Sequence, residues 1–260
     1  VIAVLLVVVF FFGGIGGGIL FGYIQTAKPV SLDAIYQSDD IQSTKIYDAN
    51  GNLMITLTGS DNINREQITY ADIKDTYIDD AFIAIEDERF EEHIGIDPKR
   101  IGSAILSALV GGGASTHGGS TITQQTVKMI TGADEVSAQR KIGEWAKAIN
   151  METRFSKQEI MQLYLNLVPM ANSYVGIQSA SKAYFGKPAS ELTLAESAFL
   201  AGVPKSPSYF NPLTESGLRN AMRRQRIVLG KMLELKRITL AQYDEALNSE
   251  LHIIQKSDET

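Results

Sequence analysis

The sequence predicts a mainly α-helical domain that follows an N-terminal membrane-spanning helix and a short β-hairpin. Three features carry this prediction: an uncharged apolar stretch at residues 1–24, an Asn-Gly turn between two apolar runs, and repeated helix-start signals from Ala71 onward. The 260 residues suffice for one substantial domain with an accessory segment. The formal net charge of -6 argues against a nucleic-acid-binding protein, which normally carries a basic face.

The N-terminal stretch has the composition of a membrane span. Residues 1–24 carry no charged side chain, and the first charge is Lys28. At about 1.5 Å per residue a helix of this length reaches roughly 36 Å, enough to cross a hydrocarbon core of ~30 Å. A secretory signal peptide is the alternative, but its apolar region usually has only about 7–15 residues. We therefore expect a single-pass anchor at residues 1–27 and a membrane-proximal linker at residues 28–70.

The linker contains the one β element that the sequence predicts, a hairpin between Lys45 and Leu57. Two apolar runs, Ile46-Tyr47 and Leu53 to Leu57, flank the segment Asp48-Ala49-Asn50-Gly51. Asn-Gly favours the tight turn that joins two antiparallel strands.

The segment from residue 71 to residue 260 is predicted to be a single helical domain. Asp97-Pro98 supplies an N-cap and a first-turn proline for a helix that runs to Val110. Four capping boxes, each a Ser or Thr with Glu or Gln three residues later, mark four further helix starts. They are Thr121 with Gln124, Ser156 with Glu159, Thr193 with Glu196, and Thr239 with Gln242. Gly202 is predicted to end the third of these helices.

A long amphipathic helix is predicted from Glu215 to Lys236. Its basic residues are expected on a solvated or membrane-facing side. They are Arg219, Arg223, Arg224, Arg226 and Lys231.

The reactive residue types narrow the chemistry. The chain has no cysteine, which excludes disulfides and thiolate catalysis. The three histidines, His93, His117 and His252, lie far apart in sequence, so we do not expect a histidine-rich metal site.

The first candidate cluster is the acidic run that begins at Glu86. Ile78, Phe82 and Ile85 recur upstream at helical spacing, so a buried helix face leads into this run. Partial desolvation favours the protonated form of a carboxyl group, which suits a proton acceptor that works near neutral pH. Taken alone, an acidic stretch at a helix end is more often solvated surface.

The second cluster spans residues 118–128. Glycines precede the hydroxyl pair Ser120-Thr121, and Lys128 lies one turn beyond Gln124 on the same helix side. Exposed amides at a helix N-terminus together with a lysine suit a phosphate or pyrophosphate. The alternative is a well-capped helix after a glycine-rich loop. We expect the stretch from Gly111 to Gly119 to order over bound substrate.

The third cluster lies on one helix. Lys141 and Glu152 are eleven residues apart, which places them on the same helix side, and Glu144 can pair with Arg140 four residues earlier. Alone, this pattern is an ordinary charged helix. The three clusters together supply a base, a phosphate-binding loop and positive charge. These are the groups needed for glycosyl transfer from a pyrophosphate-linked donor.

These clusters resemble motifs of the glycosyltransferase domain of class A penicillin-binding proteins and monofunctional peptidoglycan polymerases. Glu86 to Gly95 is similar to ED-x-x-F-x-x-H-x-G, and Gly119 to Lys128 is similar to G-S-T-I-x-Q-Q-x-x-K. The third motif is resembled by Arg140-Lys141-x-x-Glu144 together with Glu152, Ser156-Lys157 and Tyr164-Leu165-Asn166. Residues 176–186 and 194–207 resemble two more motifs. The resemblance covers roughly Ala71 to Pro212. One departure is Pro169-Met170-Ala171-Asn172, which replaces an aromatic-glycine run.

The resemblance implies a lysozyme-like helical fold and a mechanism. Glu86 would deprotonate the 4-hydroxyl of lipid II, which attacks the anomeric carbon of the growing glycan chain with inversion and releases undecaprenyl pyrophosphate. Lys128, Arg140 and Lys141, with a divalent cation (Mg or Mn), would stabilise the leaving pyrophosphate. Glu152 would be the second catalytic carboxylate, assisting the leaving group or positioning basic residues. Further residues expected to bind substrate are Asp87, Phe90, Ser120, Thr121, Gln124 and Gln125.

The resemblance also implies a location and partners. We expect the domain on the extracytoplasmic side of a bacterial cell membrane, with cell-wall synthesis proteins as further partners and no nucleic acid. Class A proteins carry a transpeptidase domain after this one, whose Lys-Thr-Gly motif does not occur in these 260 residues. Two other functions stay open: a membrane-anchored lysozyme-like hydrolase, and a non-catalytic cell-wall scaffold.

Overall fold

The computed structural model describes residues 44–47, 53–57, 64–102, 120–132 and 138–254, together with Gly14, Gly18 and Gly22, which are helical. The predicted membrane span, apart from those three glycines, lies outside the described residues, as do the hairpin turn and the stretch from Gly111 to Gly119. Within the described ranges, no helix combines the length and the hydropathy that a membrane crossing requires.

The described part of the chain is mainly helical, as predicted. Its helices are α1 Ile78–Glu86, α2 Ile122–Thr131, α3 Ala138–Glu152, α4 Lys157–Leu167, α5 Ile177–Phe185, α6 Leu194–Gly202, α7 Glu215–Glu234 and α8 Leu240–Asn248. Short 3-10 helices occupy Tyr70–Asp72 and Ala189–Glu191, and residues 98–102 are helical.

The helix starts follow the sequence signals closely. All four predicted capping boxes form, before α2, α4, α6 and α8. In each, the hydroxyl and the Glu or Gln side chain together satisfy two of the N–H groups that a helix start leaves unpaired. Asp97 also caps as predicted, because its Oδ1 accepts from the N–H groups of Lys99 at 3.0 Å and Arg100 at 3.2 Å. α6 ends at Gly202 as predicted, and α7 ends two residues before the predicted Lys236.

The described β structure consists of two small sheets. Strands β1 Thr44–Tyr47 and β2 Leu53–Leu57 pair antiparallel, with a bulge after Ile46. Strands β3 Asn64–Arg65 and β4 Tyr174–Val175 pair in parallel, and this second sheet was not predicted. A two-residue strand has no alternating pattern that a sequence could reveal.

The segment that follows β3 is fastened to the helical domain by side chains. The backbone of every second residue, at positions 66, 68 and 70, bonds a polar side chain of α4 or α5. The pairs are Glu66 with Ser179 at 2.7 Å, Ile68 with Asn166 at 2.9 Å in both directions, and Tyr70 with Gln162 at 2.8 Å. These side chains satisfy backbone groups that would otherwise need a neighbouring strand, so the linker is fixed against the domain up to its first helix.

Helix α1 lies at the centre of the core. It packs against α6 and α7, and α2 packs against α3 and α4. Of the predicted apolar face, Ile78 and Phe82 are fully buried and Ile85 is partly buried against the core. Phe82 meets Tyr164 of α4 edge-on with ring centroids 5.7 Å apart. Since Glu86 is the last residue of α1, the core fixes the point at which this carboxylate leaves the helix.

A strained turn precedes β4. Ala171, Asn172 and Ser173 have φ angles of 68°, 46° and 63°, in the left-handed region that favours glycine. Here the turn is held by two hydrogen bonds between the side chains of Asn172 and Asn211, at 2.6 and 2.9 Å, and by a hydrogen bond of 2.7 Å from the Tyr184 hydroxyl to the Met170 carbonyl.

We expect Ser173→Gly to stabilise the protein. The Ser173 side chain is exposed, and glycine adopts a positive φ without steric cost, so the gain in unfolding free energy should be about 0.5–1 kcal/mol. Urea unfolding followed by circular dichroism measures it. Gly176→Ala is the matched control and should destabilise, because φ is 86° there and an added Cβ would lie 2.9 Å from the Asn166 carbonyl oxygen. A loss of stability in Ser173→Gly would contradict this account of the turn.

Candidate active site

Glu86 is half-buried where α1 ends, and it contacts two neighbouring segments. Its Oε2 accepts a hydrogen bond of 3.0 Å from the Gln125 side chain on α2. Its backbone carbonyl accepts a bond of 3.0 Å from Arg100, in the helical segment at residues 98–102. The carboxylate predicted to be the base is therefore oriented by α2, while its backbone is held from the other side.

Asp87 connects this end of α1 to α2. Its side chain has 0% exposure, and its Oδ2 accepts from His93 Nε2 at 2.8 Å and from the Ile122 backbone N–H at 2.9 Å. The Gly95 N–H donates to His93 Nδ1 at 3.1 Å, which assigns the ring proton to Nε2. Each donor thus has one acceptor, and the peptide that carries Glu86 is fixed relative to the first turn of α2.

The loop from residue 87 to residue 97 is tied at its far end. The Thr121 hydroxyl donates to the Gly95 carbonyl at 2.7 Å, and Arg89 donates twice to Asp97 Oδ2, at 2.9 and 2.6 Å. Burial alone would raise the pKa of Asp97. The bonds from Arg89 and from two backbone N–H groups outweigh burial and hold that pKa below its ordinary value. Asp97 therefore stays ionised as it caps the helix at 98.

Four residues predicted to bind substrate have buried side chains: Asp87, Phe90, Thr121 and Gln124. Phe90 belongs to the core, and Thr121 and Gln124 form the capping box of α2. These side chains position the site from inside the protein. Ser120 and Gln125 are partly exposed and Lys128 is exposed, so they lie on the open side.

The first amides of α2 are also occupied. The N–H of Thr121 donates to Gln124 Oε1 at 2.9 Å, that of Ile122 to Asp87, and that of Gln124 to the Thr121 hydroxyl at 3.1 Å. The sequence-based expectation of exposed amides ready for a phosphate was therefore wrong for these three groups. These N–H groups are already hydrogen-bonded to the capping box and to the buried Asp87.

Cationic side chains of α3 reach the same helix start. Lys141 donates to the Ser120 hydroxyl at 2.9 Å and pairs with Glu144, and Arg140 donates to Glu144 at 2.8 Å. The predicted pairing of Arg140 with Glu144 is confirmed. The Glu144 side chain is only 6% exposed, so a buried carboxylate holds two partly exposed cations beside the N-terminus of α2, where an anion is favoured.

Glu152 has different neighbours. Its Oε1 accepts from the Thr123 hydroxyl at 2.6 Å and from Lys157 Nζ at 2.7 Å. Glu152 and Lys141 both face α2, as their helical spacing predicted. However, the carboxylate that contacts the basic pair is Glu144. Lys157 belongs to the third motif that the sequence resembles, but the sequence assigned it no individual role.

Arg224 on α7 is partly buried and interacts electrostatically with Glu86, whereas the sequence predicted a solvated or membrane-facing side for it. Its side chain packs over Gly202, where an added Cβ would lie 2.8 Å from Arg224 Cγ, and its Nε is buried with no hydrogen-bond partner among the described residues. Burial lowers the pKa of the guanidinium, and the nearby Glu86 carboxylate opposes this effect. The available signal was spacing: Arg224 lies one turn from buried Ala221 and from buried Val228.

A divalent cation was expected from the family resemblance. Within the described ranges, no three His, Asp or Glu side chains assemble as a metal site requires. Both oxygens of Glu144, the buried carboxylate of the basic cluster, are paired with Arg140 and Lys141. The described residues therefore show no preformed site for Mg²⁺ or Mn²⁺, and the cation stays a prediction.

Comparison with known proteins identifies the family. The transglycosylase family model matches residues 50–233. The chain is 36% identical over 248 residues to penicillin-binding protein 1A of Clostridium tetani, covering 93% of this chain and 31% of that protein. It is 39% identical over 236 residues to penicillin-binding protein 1A of Neisseria cinerea, covering 90% and 29%. The chain therefore belongs to the transglycosylase family, and it spans somewhat under a third of the length of these relatives.

A solved structure is also similar. The 2.6 Å crystal structure of penicillin-binding protein 1A from Haemophilus influenzae matches 82% of this chain and 21% of that chain, with 27% sequence identity and a TM-score of 0.46. A TM-score at this level does not decide the fold.

We expect Gly95→Ala to damage the site. Gly95 has φ 95°, and an added Cβ would lie 2.5 Å from the Ala148 carbonyl oxygen on α3, so the loop must move away from α3. The unfolding free energy should fall by about 2 kcal/mol or more, since strain and an overpacked contact combine. Thermal unfolding measures it. Gly102→Ala is the control, because an added Cβ at Gly102 meets nothing within 4 Å. Equal stability of the two variants would contradict the proposed docking of this loop.

Proposed function

We propose that this chain is a peptidoglycan glycosyltransferase that polymerises lipid II into β-1,4-linked glycan strands. The observation that carries the proposal is the placement of Glu86 beside α2, whose start also holds the cationic pair Arg140 and Lys141. A carboxylate next to an anion-binding cluster fits a reaction in which a hydroxyl is deprotonated while a pyrophosphate departs. Membership of the transglycosylase family supports the same reaction class.

Glu86 acts as the base in this mechanism. Its carboxylate accepts the proton of the acceptor 4-hydroxyl, and the hydroxyl oxygen forms a bond to the anomeric carbon of the growing chain. The bond from that carbon to the pyrophosphate breaks with its electron pair, so the α-linked donor yields a β-linked product. Gln125 orients one carboxylate oxygen, and the positive charge of Arg224 interacts electrostatically with the same group.

The leaving pyrophosphate is stabilised by side-chain cations. Arg140 and Lys141 are held in place by the buried Glu144 carboxylate, and Lys128 is exposed near the end of α2. Three amides at the start of α2 are already bonded within the protein, so this stabilisation does not depend on them. Positive charge that stands ready before the reaction costs no reorganisation as negative charge develops.

The two carboxylates of α3 have separate roles in the proposal. Glu144 contacts the cations that meet the leaving group, so we assign to it the role that the family resemblance implied for Glu152. Glu152 is engaged with Thr123 and Lys157 and supports the site from within.

The setting of the reaction belongs to the same proposal. Lipid II is carried by a membrane, and the uncharged stretch at residues 1–24 supports a single-pass anchor with the catalytic domain on the extracytoplasmic side. The helical architecture, with its acid/base carboxylate at the end of a buried helix, supports a lysozyme-like arrangement. Cell-wall synthesis proteins are the partners that this setting favours.

We expect the full chain to convert purified lipid II into long glycan strands, and Glu86→Gln to lose at least about a hundredfold in rate because general base catalysis contributes that much. Gel separation of labelled product measures it. Glu91→Gln is the control, since Glu91 is exposed in the loop that follows and should keep the wild-type rate.

Polymer formation at an undiminished rate by folded Glu86→Gln would contradict Glu86 as the base. Cleavage of finished, lipid-free glycan without any polymerisation would instead support the lysozyme-like hydrolase.

A further inference from the structure

We propose that Lys157 is a positioning residue for the reaction, which acts together with Glu152 to hold the loop after Glu86 in its working place. The proposal rests on the function proposed above and assigns roles to two residues of that same site. We call Lys157, Glu152 and Thr123 the clasp.

The Lys157 ammonium joins two other segments to the start of α4. It donates to the His93 carbonyl at 2.7 Å and to Glu152 Oε1 at 2.7 Å. It also lies over the Phe90 ring, 4.7 Å from the ring centroid. One cation therefore contacts the loop after Glu86 twice and the end of α3 once.

Glu152 extends these contacts to α2. Its Oε1 accepts from the Thr123 hydroxyl at 2.6 Å in addition to Lys157, and its side chain is only 8% exposed. His93 Nδ1 lies 3.7 Å from the same oxygen. The clasp thus binds α2, α3 and α4 to one another at the place where they meet the loop.

The clasp reaches Glu86 through two further residues. His93, whose carbonyl Lys157 holds, donates from Nε2 to Asp87, which precedes it in the loop and follows Glu86 directly. Asp87 also binds the Ile122 N–H on α2, the helix that carries Gln125. A displacement of His93 would therefore move the carboxylate of Glu86 relative to the side chain that orients it.

Charge compensation makes the clasp testable. When one partner of a buried ion pair is removed, the other charge is left in a poorly solvated place, and the damage exceeds that of removing both. A residue that transfers a proton behaves differently, because no second substitution restores its chemistry. Activity recovered in a double variant thus separates positioning by Glu152 from direct participation.

The experiment compares the full chain with Lys157→Met, Glu152→Gln and the double variant, using steady-state rates on lipid II and thermal unfolding. We expect each single variant to lose about tenfold in kcat, equivalent to ~1.4 kcal/mol at the transition state, with KM changed less than about twofold. KM should stay near the wild-type value because Arg140, Lys141 and Ser120, which are expected to bind substrate, lie outside the clasp. The double variant should exceed Lys157→Met in kcat and in unfolding temperature, because it no longer leaves the Glu152 charge without the Lys157 ammonium.

The matched control is Lys231→Met, which breaks an ion pair with Glu234, whose side chain is 61% exposed. A surface pair of this kind contributes little, so kcat and unfolding temperature should stay at wild-type values.

A double variant as inactive as Glu86→Gln would overturn the proposal, because Glu152 would then take part in the chemistry. Single variants with wild-type kcat would overturn it as well. If Lys157→Met fails to fold, the double variant decides, since it lacks the uncompensated charge: a folded and active double variant supports the clasp, and an unfolded one contradicts it. Absence of polymerisation by the wild-type chain would refute the proposed function instead, and the unfolding temperatures would still test the charge pairing.

Discussion

The buried carboxylate of Asp87 is the constraint on which the rest of the site depends. It has no contact with solvent, and its Oδ2 accepts from both His93 and the first amide of α2. A buried charge is tolerated only where hydrogen bonds replace its hydration, and bonds to a charged group contribute about 1.5–3 kcal/mol each. The energy that fixes Asp87 therefore also fixes Glu86, which precedes it in the chain, and the helix start that faces Glu86.

The site divides into an inner layer that positions the catalytic groups and an outer layer that contacts the substrate. Asp87, His93 and the clasp belong to the inner layer, where the side chains bond one another, while the buried Asp87 Oδ1 has no hydrogen-bond partner among the described residues. Arg140 and Lys141 belong to the outer layer, where the cations are partly exposed and Glu144 holds them from beneath. This division explains why one run of residues, from Ser120 to Lys128, contains both buried capping groups and exposed side chains. A fixed inner layer lets the outer charges act without rearrangement during the reaction.

The sequence correctly predicted the features that depend on residues close together in the chain. The capping boxes depend on residues three apart, so Thr121 with Gln124 was readable directly, and helical spacing placed Lys141 and Glu152 on one side of α3. The sequence could not predict contacts between distant segments. Helical spacing predicts the helix side on which Glu152 lies, but not its contact with Lys157. Composition alone does not distinguish the half-buried Arg224 from its exposed neighbours. Burial of Asp87 likewise depends on a loop and a helix that meet only in the folded chain.

The polymerisation rate of Asp87→Ala, measured per folded molecule on lipid II, tests the central claim most directly. Alanine removes the Oδ2 atom that accepts from both His93 Nε2–H and the Ile122 N–H, so two donors inside the protein lose their acceptor. The account predicts a folded protein whose rate falls about tenfold or more, because Glu86 loses its fixed position. A folded variant that polymerises at the wild-type rate would contradict it.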